Sequence, residues 1–474
     1  MGVILERLTW EPNASLFVIL VLFILLLLAL SCTNYPLSSS SPPSAICYGN
    51  GRHESSTGKG KSHSPFDFST AAPSRFHRHF LLIYSLAAVM EGMWSVIGEF
   101  EFDYFRISKE DIMSSLCLGH AASLLIGTFF GVLSDLVGHN KICLLFFIIH
   151  LIVSTWKRIT GHPSVWFTTA CLSFATSIFS SSFEAWLVVE HEVQSYRHDV
   201  LTETFLLMTF LQSVMSVGSQ FLVNGLLGSN IKRGNSSFST VAIFLSTIGI
   251  AYHIQRKKQD SRIKTIYNYK LSFLRLLKDK RVWLLGLSHT CLHFAVAVVW
   301  LLWAPTLVAD GREVNLGLIF PCLMGARMLG CTVFQYLLSC SSPPGTENFV
   351  SLAFVLAGLS LSVIAYDYQE IGFLVFLFSL FHVSEGLILP SLARLRSIYV
   401  PKELRGGMLS VSLAPARAAM LFLLVQRGYF GNLENSTMLS LAALGLFVAA
   451  AGIHFLKGIG KQIYHTSYKV TLSS

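Results

Sequence analysis

Thirteen apolar runs, each long enough to cross a bilayer, occupy most of this 474-residue chain, and no soluble fold buries that much continuous hydrophobic sequence. The first is Ala14–Leu30. Twelve more follow from His79 onward, six before the long loop Gln255–Arg281 and six after it. A 6 + 6 division is what two internally repeated bundles produce, with any central site between them near the midplane. The expected fold class is therefore an all-α membrane protein built from two six-helix bundles plus one extra N-terminal transmembrane helix.

The boundaries follow from composition. Residues 1–31 hold the extra helix, read as a retained span because its leading flank, with Glu6, Arg7 and Glu11, lacks the positive start of a signal peptide. Residues 32–78 form a basic linker rich in Ser and Pro. Then come the first bundle (79–256), a basic loop (257–281), the second bundle (282–456) and a tail (457–474) expected to be cytoplasmic. Loop charge sets orientation: 24 of the 35 Lys and Arg lie on the linker's side, 9 on the other, and Arg327 and Arg417 fall inside spans. The linker's side is thus expected to be cytoplasmic. The glycosylation candidates Asn13, Asn235 and Asn435, each in an N-x-S/T sequon, all fall on the opposite side. A formal charge of +9 carried in short loops is topology rather than a phosphate-binding face, so no nucleic-acid partner is expected. The nine cysteines form no C-x-x-C pair, and no metal site or cofactor follows from them.

Between two apolar runs stands Gly131-Val-Leu-Ser-Asp-Leu-Val-Gly-His-Asn-Lys141, which reads G-x-L-x-D-x-x-G-x-x-K. Its glycines let helix ends approach, and Asp135 can cap a helix start and hold a cation on the other bundle. In this spacing it resembles the loop between the second and third spans of the major facilitator superfamily. A closer resemblance lies in F-E-x-W-L-V-x-E-H, present as Phe183, Glu184, Trp186, Leu187, Val188, Glu190 and His191, and in Pro390-x-x-x-x-Leu395-Arg396-x-x-Tyr399-x-Pro401-x-x-x-Arg405. Both blocks look like the eukaryotic molybdate-anion transporter branch of that superfamily, with this chain a diverged, plant-like member. The resemblance implies a secondary transporter working by alternating access, a small anionic substrate of the molybdate type, and a functionally important element at Glu184, Glu190 and His191. The chain departs from the branch at Thr169, at Glu91-Gly-Met-Trp-Ser-Val and at Arg417. A carrier of a different small solute, or a receptor or scaffold that kept the fold, is the alternative reading.

Charges inside spans cost about 2.5–3.5 kcal/mol each at the helix centre, so each needs a reason. Glu91, Glu184, Arg327 and Arg417 are the candidates for substrate binding or proton coupling. Glu91, Trp94, Gly98 and Glu101 share a helix face expected to front the central cavity, and two guanidiniums together match a dianion. A structural ion pair between Glu91 and an arginine stands beside that reading. Ser177, Ser181, Glu184, Val188 and His191 share another face. His289 and His293 have metal-ligand spacing without a third ligand, which favours packing or hydrogen bonding; His382 and Glu385 read as a hydrogen-bonded pair or a proton relay. The conformational loop residues are Gly131, Asp135, Gly138, Lys141, Arg396 and Arg405, with an acid–arginine latch expected between Asp135 and Arg394, Arg396 or Arg405. No catalytic arrangement and no ATP-binding G-x-x-x-x-G-K-[S/T] is present, so an enzyme is not expected and pumping would draw on an ion gradient. A monomer surrounded by lipid, in the plasma membrane or an endomembrane, is expected.

Overall fold

The computed structural model describes residues 75–473 except 105–107, 161–163, 195–197, 228–230, 255–265, 310–311, 340–344, 367–369 and 432. The extra helix at 14–30, most of the linker, and Asn13 lie outside the described residues. Twelve of the described helices or helix pairs are long and apolar enough to span a membrane.

The first bundle comprises α1 (Arg75–Tyr104), α2 (Lys109–Leu125) and α3 (Gly127–Val137) in one broken span, α4 (His139–Ile159), α5 (Val165–Val193), α6 (His198–Leu227) and α7 (Ile231–Ile254). α1 begins inside the stretch assigned to the linker, because Phe76 and His77 are buried against the bundle. A short amphipathic helix, α8 (Ile266–Leu276), sits within the basic loop. The second bundle comprises α9 (Lys280–Leu307), α10 (Leu316–Ser339), α11 (Thr346–Ala365), α12 (Ile371–Tyr399), α13 (Arg405–Val425) and α14 (Asn435–Ser473). The last of these carries the expected tail as continuous helix.

Each bundle packs its own apolar core. Phe80, Phe146, Phe183 and Trp186 centre one; Leu302, Phe354, Phe378 and Leu446 centre the other. The bundles meet along two seams, α3 and α2 against α13, and α6 against α10 and α12, with α5 also touching α13. Apolar side chains gain nothing by leaving lipid for one another, so close helix pairs in membranes rely on small residues. Here a Cβ on Gly406 would stand 2.7 Å from the Gly131 carbonyl oxygen and 2.8 Å from Asp135 Oδ1. Gly138, with φ of 112°, makes the reversal from α3 to α4 that a side chain would strain. Beneath this crossing, α8 places Tyr269 and Leu276 against Val400, Leu404 and Met408 of the second bundle and Val132 and Leu136 of the first.

Candidate functional site: a latch and two arginines between the bundles

At the face carrying the basic loops, Glu184 of α5 reaches across to the second bundle. Its carboxylate accepts from Arg396 Nε (3.0 Å) and Nη2 (2.6 Å) and from Arg405 Nη2 (2.8 Å). The fork geometry of Arg396 is the strong bidentate form of a charge-assisted hydrogen bond. Both arginines are almost fully buried, and Arg405 also donates to the Ala393 carbonyl. Arg396 Nη1 and Arg405 Nε and Nη1 have no hydrogen-bond acceptor. Three desolvated charges with donors to spare make a contact that holds without being deeply stable, which suits a latch that must open.

The bonds described for Asp135 across the seam are to backbone amides. Its two oxygens accept from the backbone N–H of Gly406 (3.0 Å) and Gly407 (2.7 Å), capping the first turn of α13 from the other bundle. Two consecutive glycines leave those amides open to a carboxylate from a neighbouring helix, while the arginines nearby are taken by Glu184. Tyr269 of α8 adds a third donor at 2.9 Å, and His139 Nε2 stands 3.5 Å away. Gly131 lies buried under Ser410, and the Lys141 side chain is exposed.

Burial, then the neighbouring Asp135 charge and the bond to it, push the Tyr269 hydroxyl well above the usual tyrosine range. A tyrosine whose pKa is higher folded than unfolded stabilises the docked loop fully below the unfolded value of about 10, and that contribution is lost as pH rises beyond it. Phenolate absorbance titrations of the wild type and Tyr269→Phe are therefore expected to coincide up to about pH 11 and diverge only above; an extra wild-type phenolate near pH 10 would contradict this docking.

The F-E-x-W-L-V-x-E-H block divides between two tasks. Phe183 and Trp186 pack with Phe80 and Phe146 in the first bundle's core, and His191 Nδ1 stands 3.1 Å from His77 Nε2 of α1. Glu190 accepts from Gln194, one turn on, at 2.9 Å. Of the contacts described for this block, those of Glu184 cross the seam, and one residue beyond it Glu192 pairs with Lys402 at 3.3 Å. Asn435, at the start of α14, accepts from Arg427 (2.6 Å); the side chain of Asn235 lies outside the description.

Deeper in, the other charges gather around one region without sharing partners. Glu91 accepts from Thr176 of α5 (3.0 Å) and lies 3.8 Å from His150 of α4, so it faces the interior of the first bundle and not an arginine. Trp94, expected to front the central cavity, is buried between His150 and Phe238, with the Lys157 ammonium 4.6 Å from its ring. Arg327 of α10 pairs with Glu385 of α12 (3.5 Å) and donates to Gln212 of α6 (3.2 Å). Arg417 of α13 donates to the Ser123 carbonyl of α2 (2.8 Å). The two arginines thus contact different helices of the first bundle, Arg327 on α6 and Arg417 on α2. His382 and Glu385 do pair, at 2.8 Å, and His289 bonds Ser412 of α13 at 2.7 Å. Tyr84 lies within electrostatic reach of Arg327, Glu184 and Glu91, and His293 within reach of Arg417, Glu385 and Glu184. Gln212, Tyr84, His150 and Thr176 were not singled out from sequence, because neutral or half-buried polar residues in a span carry no signal until their partners are known.

At the opposite face the cross-bundle bonds are long and exposed: Ser114 Oγ to Tyr429 hydroxyl at 3.4 Å and Gln220 to the Gly317 carbonyl at 3.5 Å. Among the described residues, the charge-assisted contacts of a carboxylate across the bundles lie at the basic face.

Comparison with known proteins agrees with this architecture. Residues 57–371 match a family profile described as sugar transporters with twelve transmembrane segments. The molybdate-anion transporter of Xenopus tropicalis is 25% identical over 368 residues, covering 73% of this chain and 78% of the relative. That of Danio rerio is 25% identical over 370 residues, covering 71% and 76%. Among solved structures, a bacterial homologue of the iron transporter ferroportin in an outward-facing state superposes with a TM-score of 0.65 at 15% identity, over 81% of this chain and all of that one. The E. coli fucose:proton symporter gives 0.61 at 11% identity, over 80% and 98%. With two thirds of its length matched and its twelve spans in two bundles, the chain belongs to this twelve-span family of major facilitator transporters and is an integral multi-pass membrane protein.

Proposed function

We propose that the chain carries a small oxyanion, with molybdate the first to test, across its membrane by alternating access between the two bundles. The observation that supports it most is Arg417. This guanidinium sits midway along α13, half-buried, and its described contact is a neutral carbonyl oxygen; among the described residues it has no acidic partner. A cation left uncompensated at that depth costs energy, and a bound anion offsets the cost while using the guanidinium fork. The names of the Xenopus and Danio relatives favour molybdate over other oxyanions.

With the basic loops cytoplasmic, the described arrangement is closed on the cytoplasmic side by Glu184, Arg396, Arg405 and the Asp135 cap, and only thinly bridged on the other. That is the form that loads from outside the cytoplasm. Release requires Glu184 and Asp135 to give up their partners across the seam while the Ser114–Tyr429 and Gln220–Gly317 sides close. Glu184 then gates and does not bind cargo.

The test is uptake of labelled molybdate into vesicles reconstituted with the purified chain. Arg417→Gln removes hydrogen bonds from a charged donor, worth about 1.5–3 kcal/mol, so the initial rate is expected to fall at least about tenfold. Wild-type uptake no faster than in empty vesicles would contradict the molybdate reading.

A further inference from the structure

Arg327 is held differently from Arg417. It is 6% exposed, and of its five N–H donors only one, on Nη2, makes a described hydrogen bond, to Gln212 Oε1, which also accepts from the Tyr84 hydroxyl at 3.4 Å. Its Nε is buried without a hydrogen-bond acceptor, although Glu385 Oε1 stands 3.5 Å away. The pair is an ion pair at a loose distance. The other oxygen of Glu385 is 2.8 Å from His382 Nδ1, and His382 Nε2 is buried with no hydrogen-bond partner. Glu385 and His382 are 2% and 0% exposed. A carboxylate therefore occupies, with poor geometry, the side of a guanidinium where an oxyanion edge would bind with two parallel hydrogen bonds.

The groups around Glu385 come from every helix packed on α12. α10 brings Arg327 and Cys331, α9 brings His293, and α6 brings Gln212 with Tyr84 of α1 behind it. α12 itself supplies His382, and the only acid or base on α11 is Glu347 in its first turn. Among these, Arg327 is the one permanent cation, so it decides whether the carboxylate stays ionised. Glu91 has no such partner: it meets a hydroxyl and an imidazole inside one bundle, and its protonation would free no cation for an anion to use.

We propose that Glu385 is a built-in counter-anion for Arg327, displaced by the substrate oxyanion when Glu385 takes up a proton, so that a proton is bound with each anion at this site. The inference rests on the reading of the chain as an oxyanion carrier and adds its coupling. The balance is simple. Before binding, Arg327 and Glu385 cancel; afterwards the proton neutralises Glu385 and one charge of the anion takes its place on Arg327, while the second charge of a dianion is left for Arg417, which has no acidic partner among the described residues. His382, bonded to Glu385 on the side away from Arg327, is placed to pass the proton. Because α6 and α10 belong to different bundles, the exchange occurs on the seam that must move during transport.

The test is calorimetric titration of the purified full-length chain with molybdate, and separately sulfate, in two buffers of different ionisation enthalpy. About one proton is expected to be taken up per anion near neutral pH, with affinity at least about tenfold tighter at pH 5.5 than at pH 7.5. Glu385→Gln is expected to bind at both pH values as the wild type does at the lower one, without proton uptake, and Glu385→Asp to restore the pH dependence. Wild-type binding with no proton uptake overturns the proposal without recourse to any variant. So does a Glu385→Gln chain that elutes and melts like the wild type yet binds more weakly at both pH values, or binding of neither anion to any form. Molybdate uptake by vesicles made from the same preparation separates the two claims: uptake without proton-linked binding leaves the carrier reading standing, and no uptake removes it.

Discussion

Glu184→Gln is expected to raise the hydrogen-exchange rate of the Gly406 and Gly407 amides by about two to three orders of magnitude. These amides open α13, so no turn of their own helix pairs them, and Asp135 of the first bundle protects them only while the basic face is closed. Glutamine keeps the shape of Glu184 but leaves Arg396 and Arg405 buried with no counter-charge. Removing one partner of a buried pair costs about 3–5 kcal/mol, and each 1.4 kcal/mol is tenfold in an equilibrium. The chain can relieve that cost by opening the seam to water instead of unfolding, so the effect falls on the closed-to-open ratio. Exchange mass spectrometry of the peptide spanning 404–410 reads it directly. Unchanged protection there, with wild-type protection elsewhere, would show that the latch does not hold the seam.

The second large effect is steric. Gly406→Val places branching carbon where the Ser134 hydroxyl is the nearest atom and the Gly131 carbonyl and Asp135 lie within 2.7 and 2.8 Å of a Cβ, and besides the serine these are backbone and a carboxylate already bonded. α3 and α13 must separate, at a cost of roughly 1–3 kcal/mol for overpacking, and the Asp135 cap goes with them. Uptake is expected to fall by at least about tenfold. Gly225→Ala serves as the comparison: a Cβ there meets nothing within 4 Å, and wild-type uptake is expected. Equal activity of both variants would remove the argument that a glycine-lined crossing sets the closed state.

The architecture was legible because hydrophobic length and loop charge are local properties: twelve spans, their 6 + 6 division and the crossing at Gly131–Lys141 all follow from neighbours in sequence. The pairing across the bundles was not. Glu184 and Arg405 are 221 residues apart, and helical periodicity places Glu184 on a face without saying what that face meets. The cross-bundle bonds described for Asp135 were hidden for a clearer reason. They come from backbone amides of Gly406 and Gly407, donors that every residue carries and no sequence pattern advertises. Among the intramembrane charges, sequence could mark Arg327 and Arg417 as alike, yet one faces Glu385 and the other a carbonyl, and that difference gives them separate roles. Trp94 was read as lining the centre from its spacing with Glu91, but the ring is large and apolar and the first bundle buries it against Phe238.

Oxyanion binding is expected to open the face that Glu184 closes. Val193, at the end of α5, and Ile398, near the end of α12, are exposed on opposite sides of that seam, so spin labels there, in a chain otherwise free of reactive cysteines, report its opening. Pulsed electron–electron distance measurement is expected to give one short distribution without anion and a second, longer one that grows as molybdate is added. A single distribution unmoved by molybdate, in a preparation that takes the anion up, would contradict the account.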